Sequence, residues 1–214
     1  SHIRFSAVTT VQNGVRTNDQ LAEVFGAGST LGGVASFSGE MLPEGDVRFT
    51  VNAGFQIGEL PEGSSDRVKD LCAMLQDSGV NSEAVANIQT HQWSKFVLWV
   101  GATSVAVLTR QASYRFFSDS GGSLICARVM REVAAIAGSK KIPLQDSGPF
   151  PVAAVTNGSE EEAVSALQEL GAVFEKNSPG HRMSALQDLE RGRRLEIDET
   201  LGYVVAEARR LGIP

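Results

Sequence analysis

The sequence contains few residues that could fix a metal site or a disulfide framework. It has two cysteines, Cys72 and Cys126, without CxxC spacing, so we expect two reduced thiols in a protein core. Its three histidines, His2, His91 and His181, form no pair with ligand spacing, and we therefore expect no metal site. No run of about 18 apolar residues occurs, which argues against a helix that crosses a membrane.

Basic residues are also scarce. Lys and Arg number 19 against 25 Asp and Glu, which gives a formal net charge of −6. Proteins that bind nucleic acid usually carry a basic face, so we expect no nucleic-acid partner. The first residues lack the charged-then-apolar pattern of a secretion signal, and a cytoplasmic location is the default expectation.

The apolar content is sufficient for a folded core. Hydrophobic residues make up 42% and charged residues 21% of 214 residues, which excludes disorder as the main state. A chain of this length suits one large domain or two small ones.

The first part of the chain alternates short apolar segments with turns. We expect strands over residues 7–11, 31–38, 46–50, 55–58 and 85–88, and helices over residues 18–25 and 65–77. Asn18 is the expected N-cap of the first helix. These strands are too few for a complete parallel sheet with its crossovers, so the pattern is that of the end of a larger α/β domain.

From Thr90 onwards the pattern is helical. We expect helices over residues 92–109, 123–137, 159–176, 182–193 and 196–211. The third of these starts with a capping box formed by Ser159 and Glu162. We therefore divide the chain into a β-rich α/β part, residues 1–88, and an all-helical part, residues 89–214.

Lys95 is the first functional candidate. It lies in the apolar segment His91-Gln92-Trp93-Ser94-Lys95-Phe96. Charges are rarely placed against a core unless they are paired, and a partly buried lysine can act as a proton donor because its pKa shifts readily. The alternative is a lysine at a helix edge whose ammonium group reaches water.

Three further polar residues have both a structural and a functional interpretation. Ser184 precedes a helical segment, where it could cap the helix or bind a substrate carboxylate. Glu196 lies near an expected helix start, where a carboxylate usually interacts with the helix dipole or with solvent. Asn13 stands before Gly14 and is typical of a turn.

These residues belong to motifs that resemble one known family. The motifs are Val11-Gln12-Asn13-Gly14-Val15, Trp93-Ser94-Lys95-Phe96, the segment 184–198 with Ser184 and Glu196 12 positions apart, and the segment 210–214. Taken together and in this order, they resemble the ketopantoate reductases (2-dehydropantoate 2-reductases). The resemblance spans nearly the whole chain.

The resemblance implies a two-domain enzyme of pantothenate biosynthesis. Residues 1–88 would be the C-terminal portion of a Rossmann-type domain for NADPH, and residues 89–214 a helical domain for substrate binding and dimerisation. The reaction would transfer hydride from the nicotinamide to the ketone of a small-molecule 2-oxo acid. We expect no membrane partner, and a homodimer is consistent with a helical domain that has large apolar faces.

The resemblance also implies a role for each candidate residue. Lys95 would be the general acid that polarises the ketone oxygen and protonates the developing alkoxide. Ser184 would bind the substrate carboxylate. Glu196 would orient the lysine and contact the region between cofactor and substrate, and Asn13 would line the cofactor cleft near the nicotinamide.

The sequence departs from the family pattern in three places. No GxGxxG fingerprint follows a strand in this chain, and the sequence stops at Pro214, where family members usually continue; both features predict a fragment of a longer reductase. Family members typically carry asparagines four and eight residues after the lysine, where this chain has Trp99 and Thr103. These two residues are therefore candidates for altered substrate contacts.

Three hypotheses follow from the sequence. The first is an NADPH-dependent ketopantoate reductase. The second is a related enzyme that reduces another branched or aromatic 2-oxo acid, which Trp99 and Thr103 favour. The third is a non-catalytic helical module for dimerisation or binding, which the lack of a phosphate-binding loop in this chain favours and the retention of Lys95, Ser184 and Glu196 opposes.

Overall fold

A computed structural model describes residues 5–213, which form two compact units. The first unit contains residues 5–37 and 52–93, and the second contains residues 38–51 and 94–213. These units differ from the sequence division at residue 88 chiefly because residues 38–51 belong to the second unit. The domain boundary at residue 88 stays a prediction. His2 and Pro214 lie outside the described residues.

The described residues contain three strands, nine α-helices and one 3₁₀ turn. The strands are β1 (Gly32–Met41), β2 (Val47–Gly58) and β3 (Ser82–Ala84). The helices are α1 (Thr17–Phe25), α2 (Asp66–Asp77), α3 (Ile88–Thr109), α4 (Ser113–Ser118), α5 (Ser120–Ser139), α6 (Val152–Asn157), α7 (Glu160–Asn177), α8 (Ser184–Glu190) and α9 (Leu201–Leu211). The 3₁₀ turn is Ala27–Ser29.

A small sheet with the order β1-β2-β3 organises the first unit. Strands β2 and β3 are parallel, with Phe55 opposite Ser82, and α2 provides the crossover between them. Leu31, Ile57 and Val68 are fully buried in the core that the sheet and α2 share. This arrangement is a partial Rossmann-type α/β domain, and it is followed by a helical domain, as the sequence predicts.

Helix α3 packs closely on α5 in the second unit. A Cβ atom added at Gly101 of α3 would lie 2.7 Å from Cγ of Met130 and 2.9 Å from the carbonyl oxygen of Cys126. Only glycine permits this approach of the two helices. The predicted capping box of α7 is confirmed, because Ser159 and Glu162 exchange both hydrogen bonds.

Two of the strands expected in the first unit are not formed as predicted. The expected strand over residues 85–88 is not formed; β3 ends at Ala84 and α3 begins at Ile88. Val85 and Ile88 are buried, so their apolar character reflects core packing and not strand periodicity. The expected strand over residues 7–11 is reduced to one parallel bridge between Val8 and Thr30.

The residue type of Asn18 suggests an N-cap, but Asn18 does not cap α1. Arg16 is the N-cap of α1, and Asn18 lies inside the first turn. Its side-chain amide is buried and donates a hydrogen bond to Oε1 of Gln92, with Nδ2 and Oε1 2.8 Å apart. A partner 74 positions away in sequence has therefore displaced the local capping interaction.

Two helices of the second unit are shorter than predicted. The helix expected over residues 182–193 is confined to α8, and the helix expected over residues 196–211 begins only at Leu201. The Thr200 hydroxyl donates to the carbonyl oxygen of Glu196, which folds the preceding residues into a turn. Side-chain hydrogen bonds of this kind compete with regular helix formation.

Candidate active site

Helix α3 places one ammonium group in an apolar environment. Lys95 is the only charged residue between Gln92 and Thr109, and it is half-buried. Phe96, Val97 and Val100 beside it are almost completely shielded from water. Burial lowers the pKa of Lys95 to about 8, because the charged form loses its hydration. Near neutral pH the group therefore carries a proton that it releases more readily than an ordinary lysine.

Trp99 and Thr103 follow Lys95 at intervals of four residues along α3. Trp99 is 8% exposed and Thr103 is completely buried. Thr103 Oγ1 has no hydrogen-bond partner among the described residues. By contrast, Ser104 and Thr109 on the same helix each donate to the carbonyl oxygen four residues earlier, at 2.8 Å. Buried hydroxyls normally have a partner, so Thr103 Oγ1 is an exception among the described residues.

Ser184 is the first residue of α8, near the helix start that the sequence suggests, and it does not cap the helix. Its side chain is exposed, while Ala185 and Leu186 behind it are buried. Met183 occupies the N-cap position and provides no side-chain hydrogen bond to the helix. The hydroxyl of Ser184 is thus held at the start of a helix by apolar packing on the opposite face.

His181 has a structural position just before α8. Its Nδ1 lies 2.7 Å from Oγ of Ser113, and its ring stacks on Phe174 with centroids 4.7 Å apart. Burial lowers the pKa of His181 to about 4, so the imidazole is neutral at physiological pH. These contacts fix the connection between α7 and α8 from the inside of the helical unit.

Glu196 lies in the turn that precedes α9 and is exposed. The backbone N–H of Gly202 donates to the carbonyl oxygen of Ile197 at 2.8 Å, which adds to the hydrogen bond from Thr200. Thr200 itself is buried. The turn is therefore anchored at its end, while the carboxylate of Glu196 stays accessible to a ligand.

An aromatic contact brings α9 to the part of α3 that carries Lys95. The rings of Phe96 and Tyr203 have centroids 6.5 Å apart. Phe96 is adjacent to Lys95 in sequence, and Tyr203 lies in the first turn of α9, just after the turn that carries Glu196. The helical unit thus places the first turn of α9 against the segment of α3 that contains Phe96.

Asn13 belongs to the first unit. It is partly buried in a bend that follows the bridge at Val8. Gly14 has φ of 106°, a conformation that favours glycine, and this agrees with the predicted Asn-Gly turn. Nearby in sequence, Thr9 has a buried hydroxyl oxygen that lacks a partner among the described residues.

The sequence alone does not identify the contact between Glu40 and Arg182, two residues before Ser184. Their side chains form an ion pair although they lie 142 positions apart. Neither residue belongs to a local motif, and only the fold brings strand β1 to the segment before α8.

Two negative findings apply to residues 5–213. These residues contain no group of three or more His, Cys, Asp or Glu side chains that could hold a metal ion. No helix among them is long and apolar enough to span a membrane.

Comparison with protein families gives two matches that together cover most of the chain. Residues 4–62 match the family described as ketopantoate reductase PanE/ApbA. Residues 87–214 match the family described as the C-terminal part of ketopantoate reductase PanE/ApbA. The second match alone covers more than half of the chain.

An individual relative agrees with the family match. The chain is 26% identical over 206 residues to a 2-dehydropantoate 2-reductase of Archaeoglobus fulgidus, covering 96% of the chain and 62% of the relative. The chain thus spans about three fifths of the length of that enzyme.

Solved structures show the same fold. The crystal structure of 2-dehydropantoate 2-reductase from Geobacter metallireducens superposes with a TM-score of 0.77 at 22% identity, covering 97% of this chain and 64% of that one. A ternary structure of D-mandelate dehydrogenase with NADH and anilino(oxo)acetate superposes with a TM-score of 0.76 at 16% identity, covering 97% and 62% of the two chains.

Proposed function

The chain belongs to the PanE/ApbA ketopantoate reductase family, and on this premise we propose that it is part of an oxidoreductase that reduces a 2-oxo acid to a 2-hydroxy acid. The leading substrate is ketopantoate and the leading cofactor is NADPH, which would place the enzyme in pantothenate biosynthesis. The observation that carries the proposal is the lowered pKa of Lys95. Burial on an otherwise apolar helix lowers this pKa to about 8.

In the first unit, Asn13 is the residue that would hold the nicotinamide end of the cofactor. Its amide is partly exposed on a turn that Gly14 makes possible, and it can both donate and accept hydrogen bonds. These amide groups fit a polar carboxamide or ribose. When bound, the cofactor supplies the hydride.

Lys95 performs the acid chemistry. Hydride addition to a ketone creates negative charge on its oxygen, and the ammonium group stabilises that charge through a hydrogen bond. Lys95 then transfers a proton from Nζ to this oxygen, which yields the hydroxyl of the product. A lysine with an ordinary pKa would release this proton less readily.

Ser184 binds the substrate, and Glu196 orients the groups that react with it. The exposed hydroxyl of Ser184 donates a hydrogen bond to the carboxylate of the 2-oxo acid. Glu196, on the turn that leads into α9, accepts hydrogen bonds from Lys95 or from the cofactor. The contact between Phe96 and Tyr203 supports this assignment, because it places the first turn of α9 against the segment of α3 that contains Phe96.

A second candidate is the reduction of an aromatic or branched 2-oxo acid. Trp99 supports it, because an indole ring one helical turn after Lys95 offers an apolar surface where an asparagine would offer two hydrogen-bonding groups. The structural likeness to D-mandelate dehydrogenase is consistent with this alternative but concerns the fold alone.

The test is NADPH oxidation by the full-length gene product with ketopantoate, a branched 2-oxo acid and an aromatic 2-oxo acid. Fastest turnover of ketopantoate supports the leading proposal, and fastest turnover of the aromatic acid supports the second candidate. A parallel series with NADH decides the cofactor. Absence of turnover with every acid and both cofactors would contradict the enzyme proposal and favour a non-catalytic module. The predicted homodimer is tested by the mass of the protein in solution.

A further inference from the structure

The tip of the β1–β2 hairpin is built into the helical unit. Residues 38–51 belong to this unit, and they contact the chain between α7 and the end of α8. Ser178 Oγ donates to the carbonyl oxygen of Thr50 at 2.7 Å. On the other strand, the Arg191 guanidinium donates to the carbonyl oxygen of Met41 at 2.6 Å.

Glu40 lies at the centre of these contacts. It is only 6% exposed, although it is ionisable. Its Oε1 accepts a hydrogen bond from Arg182 and lies 3.4 Å from a guanidinium nitrogen of Arg191. A buried carboxylate is costly unless positive partners surround it, so the pairing fixes both arginines against the strand.

Arg182 connects this cluster to the start of α8. It lies two residues before Ser184, and its second terminal nitrogen donates to Glu190 at the end of the same helix. Its carbonyl oxygen accepts a hydrogen bond from Nε2 of Gln187 at 3.1 Å. His181, its neighbour, points into the helical unit and is held there by Ser113.

We propose that Glu40 is a positioning residue that, through Arg182, holds the segment before α8 so that the Ser184 hydroxyl is set for a substrate carboxylate. The inference rests on the proposed function of Ser184 and adds a residue from a distant strand to the site. Arg182 fixes the segment from the hairpin side, and His181 fixes it from the core side. With both anchors in place, the segment is held in one conformation before substrate arrives.

The first experiment compares Glu40→Gln with the unaltered full-length protein. Glutamine keeps the shape of the side chain but removes the charge that holds Arg182. We expect KM for the 2-oxo acid to rise about tenfold while kcat changes less than about twofold, because the variant affects binding of the carboxylate and not proton transfer. KM for the nicotinamide cofactor should stay unchanged.

Three further variants provide matched controls. Glu190→Gln removes the exposed partner of the same Arg182 guanidinium, and KM should change less than about twofold. Glu40→Asp keeps the negative charge and should recover part of the loss. Arg182→Lys keeps a positive charge with fewer donors and should give an intermediate KM. The latter two variants keep the test open if Glu40→Gln fails to fold.

A second readout does not depend on activity. Backbone amide exchange over residues 181–187 should become about tenfold faster in Glu40→Gln, but not in Glu190→Gln. Unchanged exchange overturns the proposal, and so does an unchanged KM in an active enzyme. If the unaltered protein reduces no 2-oxo acid, the proposed function fails instead, and the exchange experiment still decides whether Glu40 orders this segment.

Discussion

Two lysines of the helical unit differ in pKa because their surroundings differ, and they are therefore suited to different roles. Lys140, at the C-terminus of α5, forms an ion pair with Glu207, with Nζ and Oε1 2.5 Å apart. That hydrogen bond raises the pKa of Lys140. Lys95 shows the opposite shift, because burial lowers its pKa to about 8. The charge of Lys140 therefore stabilises a helix contact, whereas the proton of Lys95 is available for chemistry.

The carboxylate partner of Lys140 confirms this structural role. Glu207 is held by both Arg210 and Lys140, which lower its pKa to about 2. The three side chains join α5 to α9, and they keep their charges throughout the physiological pH range. A group that does not change its protonation state under working conditions is poorly suited to general acid catalysis.

Replacing the lysines one at a time should separate the two roles most strongly. Lys95→Met fills much of the same volume without the charge, and we expect kcat to fall by about 10²–10⁴-fold because the positioned acid is lost. Lys140→Met should leave kcat within about twofold. Steady-state NADPH oxidation measures both, and circular dichroism verifies the folds. Equal loss of activity in the two variants would contradict a catalytic role for Lys95 and a structural role for Lys140.

The pH dependence should show which lysine controls turnover. Reduction needs the protonated form of Lys95, so kcat/KM should be constant below about pH 8 and fall about tenfold per pH unit above it. Oxidation of the 2-hydroxy acid needs the neutral amine and should rise through the same pH. In Lys95→Arg, whose guanidinium stays protonated, any residual activity should lack this transition. A profile of the unaltered enzyme that is flat through pH 9 would rule out Lys95 as the acid.

The smallest effect is expected in stability. Lys140→Met removes one partner of a half-buried ion pair and should lower the free energy of unfolding by about 1 kcal/mol at pH 7. The lowered pKa of Glu207 means that its contribution is present above its usual pKa and is lost as pH falls towards about 2. Urea unfolding at several pH values should therefore show a weaker acid dependence in Lys140→Met. An unaltered acid dependence would mean that Arg210 alone accounts for the shift.

Local signals in the sequence predict much of the helical unit. Ser159 and Glu162 mark the start of α7 because a capping box is complete within four residues. The long apolar helix with Lys95 is also predicted correctly, whereas the helix expected over residues 182–193 is confined to Ser184–Glu190. In each correct prediction the residues that determine the structure are neighbours in the chain.

Prediction from the sequence fails where residues far apart in the chain determine the structure. Asn18 has the residue type of an N-cap, yet its buried amide pairs with Gln92. Nothing in the local sequence distinguishes Glu40 from an ordinary strand residue, because its partner Arg182 approaches it only in the folded chain. The motifs predict the identities of Lys95, Ser184 and Glu196 as a candidate site, but the lowered pKa of Lys95 depends on packing that no local pattern contains.

The path of the chain through its two units has a consequence for recombining this protein with relatives. The chain enters the helical unit at residue 38, leaves it after residue 51 and returns at residue 94. A chimaera joined once, between residues 88 and 89, would insert one parent's hairpin tip into the other parent's helical unit. Glu40 would then face the residue that the other parent carries in place of Arg182. Exchanging residues 38–51 together with 94–213 would keep the ion pair within one parent.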